Sequence, residues 1–166
     1  MKHSILIIGS SGYLGSNLKK FLSKKHQIID NSSKKKINIC NYNKLENFFK
    51  KNKVDIIIHL ASEIFDDDKN VYYYNTKTSQ NLIAMAKKYR VNNFIFTSTF
   101  SIYEKNYDLP IKENQEPSAK NFYGKSKYQV EKILKKSKIK NFTILRIPVV
   151  VGKARSHRMG ILFELI

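Results

Sequence analysis

The chain is poor in several residue types, and each shortage narrows what it can be. Its 166 residues include a single cysteine, Cys40, no tryptophan and three prolines. One thiol cannot form an internal disulfide, so a reducing cytoplasm is the default setting. With His3, His26, His59 and His157 scattered along the chain, no metal-ligand spacing arises, and no metal is expected. No apolar run approaches the roughly 18 residues of a membrane span. The N-terminus enters an apolar run directly, without the basic, apolar and small-residue regions of a signal peptide, so no membrane partner is expected. Acidic residues are few: 13 Asp and Glu stand against 31 Lys and Arg, a formal charge of +18. Arginine is scarce too, at four residues. Its planar fork suits phosphates and base edges best, so the scarcity argues against a dedicated nucleic-acid reader. The lysines are spread along the whole chain, and a compositional habit of the source accounts for them better. Their field would still attract a dinucleotide or a nucleotide-sugar.

What is present is concentrated near the start, in Ser4-Ile-Leu-Ile-Ile-Gly9-Ser-Ser-Gly12-Tyr13-Leu14-Gly15. The run Ile5 to Ile8 does not alternate, as expected of a strand buried on both faces. Gly9 permits a sharp turn, Gly12 a close approach of backbone N–H groups to a phosphate, and Gly15 tight packing of a new helix on the sheet. The N-terminus of that helix, predicted over Ser16 to Lys25, offers unpaired N–H groups and a partial positive charge. A second apolar run, Gln27-Ile-Ile, ends at Asp30, about twenty residues after Gly9, where an acid can accept ribose hydroxyls and repel a 2′-phosphate. Dinucleotide binding follows, with NAD preferred over NADP. The basic run Lys34 to Lys36 weakens that preference, and the bland alternative for Asp30 is a loop cap.

Strands and helices alternate along the rest of the chain. Ile37 to Ile39 reads as a short third strand, and Leu45 to Lys51 as a helix with Leu45, Phe48 and Phe49 on one face. Asp55 to His59 is a fourth strand. An acidic loop, Asp66 to Asp68, precedes a long helix from Val71 to Tyr89. Asn93 to Ser98 is a fifth strand, Tyr107 to Ser118 a loop, Phe122 to Lys136 a helix and Phe142 to Ile147 a sixth strand. Such alternation predicts an α/β fold, a doubly wound parallel sheet of Rossmann type with helices on both faces. Ligands then lie beyond the carboxyl ends of the strands. Three features meet there: Ser98-Thr99, Tyr123 with Lys127 one helical turn later, and Arg146-Ile-Pro148. A lysine ammonium ~4 Å from a phenol would favour the phenolate by up to ~4 kcal/mol, enough to make Tyr123 a base near neutrality. Thr99 would hydrogen-bond the same substrate oxygen. Tyr and Lys four apart are also common on plain surface helices.

The ordered set resembles the extended short-chain dehydrogenase/reductase superfamily, in particular its NAD-dependent epimerase/dehydratase group acting on nucleotide-sugars. The matching residues are Gly9-x-x-Gly12-x-x-Gly15, Asp30-Asn31, His59-Leu-Ala-Ser62, Asn75 with Asn81-Leu82, Phe96-x-Ser98-Thr99 with Ile102-Tyr103, Tyr123-x-x-x-Lys127, and Leu145-Arg146 before Pro148. The resemblance implies that Gly9, Gly12, Tyr13, Leu14 and Gly15 form the pyrophosphate turn and that Asp30 and Asn31 serve the adenosine ribose. It implies that Ile39 packs near adenine, that Leu60, Ala61 and Ser62 line the coenzyme, and that Asn75, Ser98 and Pro148 border it. Tyr123 would be the base, Lys127 would hold the nicotinamide ribose and the phenolate, and Thr99 would assist. Relatives pair through two long helices, here 71–89 and 122–136, so a homodimer is expected.

Departures sharpen the expectation. Dehydratases similar to this chain carry an Asp-Glu pair directly after the Ser/Thr, where Phe100 and Ser101 stand here, so epimerisation or keto reduction is expected instead. Val149 stands where epimerases often place a substrate-binding Asn, Glu104 where a Gly usually follows Val-Tyr, and Asn38 where an Asp often precedes the adenine-packing residue. Relatives continue for well over a hundred residues beyond the equivalent of Ile166. Residues 1–152 would be the NAD-binding domain and 153–166 the start of a truncated substrate-binding region. The expected activity is an NAD-dependent nucleotide-sugar epimerase or reductase. The rival is a catalytically silent NAD-binding module, or an inactive fragment of such an enzyme.

Overall fold

A computed structural model of the chain describes residues 1–30, 37–64, 68–104 and 110–150. Along these the elements run β1 (Ser4–Ile8), α1 (Tyr13–Leu22), β2 (Gln27–Asp30), α2 (Tyr42–Lys51), β3 (Ile56–His59), α3 (Lys69–Lys88), β4 (Asn93–Thr99), a single 3₁₀ turn (Phe100–Ile102), α4 (Phe122–Lys136) and β5 (Phe142–Ile147). The strands form one sheet in the order β2-β1-β3-β4-β5, and every pairing is parallel. The chain moves outward from β1 to β2, then returns past β1 to lay down β3, β4 and β5. The order therefore reverses between β1 and β3, where such sheets open a crevice at their carboxyl edge.

The apolar runs bury both faces of the sheet, as non-alternating strands should. Ile5, Ile7 and Ile58 meet Leu18 and Leu22 of α1 on one side. Leu6, Ile8, Ile57, Phe94 and Phe96 join Leu45 and Phe49 of α2, Leu82 and Met85 of α3, and Val130 and Leu134 of α4 on the other. Helices α2, α3 and α4 each begin on a side chain that accepts backbone N–H groups: Asn41 from Lys44, Asp68 from Asn70 and Val71, and Asn121 from Gly124. Helix α1 differs. Its N-cap is Gly12, which supplies no side-chain acceptor.

The predicted fold class holds, with one correction. Ile37 to Ile39 is not a strand. The Asn38 side chain accepts from the N–H groups of Cys40 and Asn41, 3.0 and 3.1 Å away, and so folds the segment into a turn before α2. The Asn81 amide of α3 holds the turn by donating to the carbonyls of Ile39 and Cys40. Ile37 and Ile39 are still buried in the core, so their apolar spacing reported anchoring rather than pairing. Helix α1 also starts three residues before its predicted N-terminus, on the glycine turn itself. Asn31, Lys34 to Lys36, Asp66, Asp67 and residues 153–166 lie outside the described residues.

Candidate functional site

The glycine turn separates into three tasks. Gly9 takes φ +91°, and a Cβ there would stand 2.7 Å from the Ala61 nitrogen, so both conformation and space require glycine. A Cβ on Gly15 would meet the Gly9 carbonyl oxygen at 2.1 Å, which is how α1 packs against the turn. A Cβ on Gly12 would find only the Gly9 oxygen, at 3.4 Å, because its other side is open. That open side faces a cleft of about 490 Å³ lined by Gly9, Ser11, Gly12, Ile39, Leu60, Ala61 and Ser62, among others. The start of α1, whose N-cap Gly12 supplies no side-chain acceptor, lies at the same turn, and a helix N-terminus favours an anion. A nicotinamide dinucleotide fits this donor set: backbone N–H groups for pyrophosphate, apolar walls from Ile39, Leu60 and Ala61, and an acid at the end of β2. That acid, Asp30, accepts a hydrogen bond from Ser10 Oγ and is ion-paired with Lys19 of α1.

Beyond Ser62 the cleft leads to the strand ends of β3 and β4 and the first turns of α4. The Tyr123 phenol lies among the hydroxyls of Thr99 and Ser62, and Ser62 Oγ is buried without a hydrogen-bond partner among the described residues. Burial raises the phenol above its ordinary value, and those two hydroxyls pull it partly back. Lys127 is 3% exposed; its ammonium donates to the Thr97 carbonyl at 2.9 Å. It lies 4.8 Å from the centre of the Phe96 ring and 5.8 Å from that of Tyr123. Burial pushes Lys127 down to about 7. The lowered phenol expected from the Tyr-Lys spacing is therefore not what burial produces. Taking both groups out of water disfavours the charged form of each.

Helices α3 and α4 hold this corner rigid. The Asn75 amide accepts from Glu63 N–H and donates to the Glu63 carbonyl and to Ser126 Oγ, and Ser126 Oγ in turn donates to the Tyr123 carbonyl at 2.7 Å. Ser79 Oγ donates to the Asn75 carbonyl at 2.7 Å, so it must accept from His59 Nε2 at 2.9 Å. That fixes the imidazole tautomer and leaves His59 Nδ1, fully buried, without a partner among the described residues. Burial first, and Lys127 second, push His59 down to about 3, so it is neutral at ordinary pH.

The first four residues of the chain aside, a family model described as "NAD dependent epimerase/dehydratase family" matches residues 5–166. The chain belongs to that family. It is 35% identical over 139 residues to the UDP-glucose 4-epimerase of Caenorhabditis elegans, covering 77% of this chain and 39% of that protein. The solved UDP-Glc/GlcNAc 4-epimerase of Campylobacter jejuni is similar at 28% identity with a TM-score of 0.76, over 87% of this chain and 53% of that one. A dTDP-4-dehydrorhamnose reductase from Bacillus anthracis, solved with NADP, shares the fold at TM-score 0.89 and 23% identity, over 99% of this chain and 60% of that one. The chain thus spans 39 to 50% of the length of the curated relatives it matches first.

Set against the family expectation, the fold brings Gly9, Gly12, Ile39, Leu60, Ala61 and Ser62 to one cleft and Thr99, Tyr123 and Lys127 to its inner end. Tyr13 and Leu14 open α1 and are half-buried, and Gly15 is buried behind them. Asn75 stands behind the cleft wall, with Glu63 between. Ser98 is buried at the end of β4, its hydroxyl without a hydrogen-bond partner among the described residues. Pro148 is exposed just past β5. Sequence reasoning missed Ser11, Cys40, Glu63 and Tyr74, which also line the cleft, as does Asn38 beside Ile39. Arg146, which the sequence did single out, makes a two-point bond to the fully buried Glu131 carboxylate at 3.1 and 2.7 Å and also reaches Tyr103; Glu131 itself was missed. Glu131 was findable: it falls four residues after Lys127, on the same helical face.

Proposed function

We propose that this chain is the coenzyme-binding half of a nucleotide-sugar epimerase or reductase, with NAD in the cleft and Tyr123 as the proton-transfer residue. One observation carries the reading. Ser62 lines the cleft, and its hydroxyl is close enough to the Tyr123 phenol to pull it down, so the coenzyme cleft and the proposed base share a wall. A bound nicotinamide dinucleotide supplies a hydride acceptor for the sugar carbon and returns the hydride in the reverse step. Tyr123 takes the proton from the hydroxyl on that carbon while Thr99 hydrogen-bonds the same oxygen. The phenolate so needed is stabilised by the Ser62 and Thr99 donors, and Lys127 in its protonated form adds to them. Phe100 and Ser101 offer neither a strong acid nor a strong base, which favours epimerisation or keto reduction over loss of water. A homodimer through α3 and α4 would use the outward aromatic face around Tyr72, Phe122 and Tyr128; light scattering of a concentrated sample checks it, and a monomer disposes of it.

A second reading, coenzyme binding without turnover, draws on the raised phenol of Tyr123 and the depressed amine of Lys127, a pair held neutral. Calorimetry with NAD, followed by turnover on a panel of UDP- and dTDP-hexoses, separates the two. Turnover that Tyr123→Phe abolishes while NAD still binds supports the enzyme. NAD binding with no turnover in the unaltered chain supports the silent module. No binding of either nicotinamide coenzyme by folded protein refutes both.

A further inference from the structure

An acid at the end of β2 selects for NAD in two ways: it accepts hydrogen bonds from a ribose hydroxyl, and its charge repels a phosphate in the same place. In this chain both are weakened by contacts that the protein makes itself. Ser10 Oγ occupies one oxygen of Asp30 and the Lys19 ammonium the other. Ser10 is 2% exposed and belongs to the glycine turn, so its bond to Asp30 is buried beneath that turn. Lys19 comes from the outer side of α1, and its side chain is 45% exposed against 17% for Asp30. The ammonium is therefore the more exposed member of the pair, beside the acid at the carboxyl end of β2.

We infer that Lys19 makes the coenzyme site permissive, neutralising Asp30 so that the chain accepts the 2′-phosphate of NADP as well as the free 2′-hydroxyl of NAD. The inference rests on the reading that the cleft holds a nicotinamide dinucleotide. A phosphate here meets an ion pair of zero net charge rather than a bare carboxylate. An ammonium carries three N–H donors, and the bond to Asp30 uses one. Swinging toward a phosphate oxygen exchanges one part-buried ion pair for another of the same kind. The chain's formal charge of +18 adds a field that favours the more highly charged coenzyme. Asp30, released from Lys19, keeps its bond to Ser10 and is not left bare. When NAD binds instead, Asp30 accepts the hydroxyl on its remaining lone pairs and Lys19 stays in place.

The test is calorimetric titration of the 166-residue chain, and of its Lys19→Gln and Lys19→Arg variants, with NAD and with NADP at low and at moderate salt. Lys19 lies on an exposed helix face, and thermal melts confirm that each variant is folded. The unaltered chain is expected to bind NADP within about tenfold of NAD. Lys19→Gln should weaken NADP by about tenfold or more and NAD by less than about threefold, while Lys19→Arg keeps both. NADP affinity should also fall more steeply with salt than NAD affinity. A chain that binds NAD but takes NADP more than about tenfold more weakly overturns the inference, as does a Lys19→Gln variant that loses both coenzymes equally. Failure to bind either coenzyme is a different result: it removes the cleft reading on which the inference stands.

Discussion

Replacing Lys127 by methionine should stabilise the protein at neutral pH and destabilise it in alkali. The lysine is 3% exposed, and burial has pushed it from its ordinary 10.5 down to about 7. Between those two values the unfolded chain holds a proton that the folded chain lacks. Stability therefore rises with pH across that window, by about 1.4 kcal/mol per pH unit from this group, and the full penalty is present at and below pH 7. The whole drop is worth roughly 5 kcal/mol, an order-of-magnitude figure. Methionine removes that penalty but leaves the Thr97 carbonyl, now bonded at 2.9 Å, without its donor, at a cost of ~2 kcal/mol. The contact with the Phe96 ring is worth about 1 kcal/mol more. The net gain at pH 7 is about 2 kcal/mol, or a rise of about 4–8 °C in Tm for a chain of this size. At about pH 9.5 the penalty shrinks to roughly 1 kcal/mol, so the lost contacts win and the variant should be the weaker protein by ~1–2 kcal/mol. Urea unfolding followed by circular dichroism at both pH values, without coenzyme, reads the difference. A variant weaker by more than ~1 kcal/mol at pH 7, or an offset equal at both pH values, would show that Lys127 is not carried as a desolvated amine.

Two further outcomes follow from the same geometry. His59, pushed down to about 3 from 6.5, keeps the fold stable above its unfolded value, and that stability drains as pH falls from 6.5 towards 3. His59→Leu should therefore gain about 2–3 kcal/mol on the unaltered chain between pH 6.5 and about 4.5, measured by urea titration at each. The glycines of the turn should part company. Gly15→Ala, with its Cβ 2.1 Å from the Gly9 oxygen, should lose more than ~3 kcal/mol or fail to fold. Gly12→Ala, whose φ of −73° suits alanine, should melt within ~1 kcal/mol of the parent yet bind NAD about tenfold or more weakly, by calorimetry. Equal destabilisation by the two would contradict the open face assigned to Gly12.

How far the sequence could be read depended on which force shaped each segment. Ile5 to Ile8 and Ile56 to His59 were legible as strands because both their faces are buried, and a short, continuous apolar run between turn residues has few sources besides a strand in the middle of a sheet. Ile37 and Ile39 carried the same signal for a different reason: they are anchored in the core while Asn38 and Asn81 take the backbone groups that a neighbouring strand would have used. A hydrogen bond arriving from some forty residues away leaves no trace in local spacing. The juxtaposition of Tyr123 and Lys127 was legible from helical periodicity, but the direction of their titration was not. Spacing measures the distance between two charges and says nothing about the water removed from around them. The Lys19–Asp30 pair was hidden for a similar reason, since it joins a helix face to a strand end that only the folded sheet brings together.

Asn75 limits how this scaffold could be reshaped. Its one amide grips the segment after β3 and, through Ser126, the helix bearing Tyr123. The span between cleft wall and phenol is thereby set inside the hydrophobic body of the molecule rather than by its surface loops. Substitutions have liberty at Phe100 and Ser101, which are exposed, and almost none at position 75. A shorter or longer side chain there would move the cleft wall and the Tyr123 phenol relative to each other while every residue lining the cleft stayed the same.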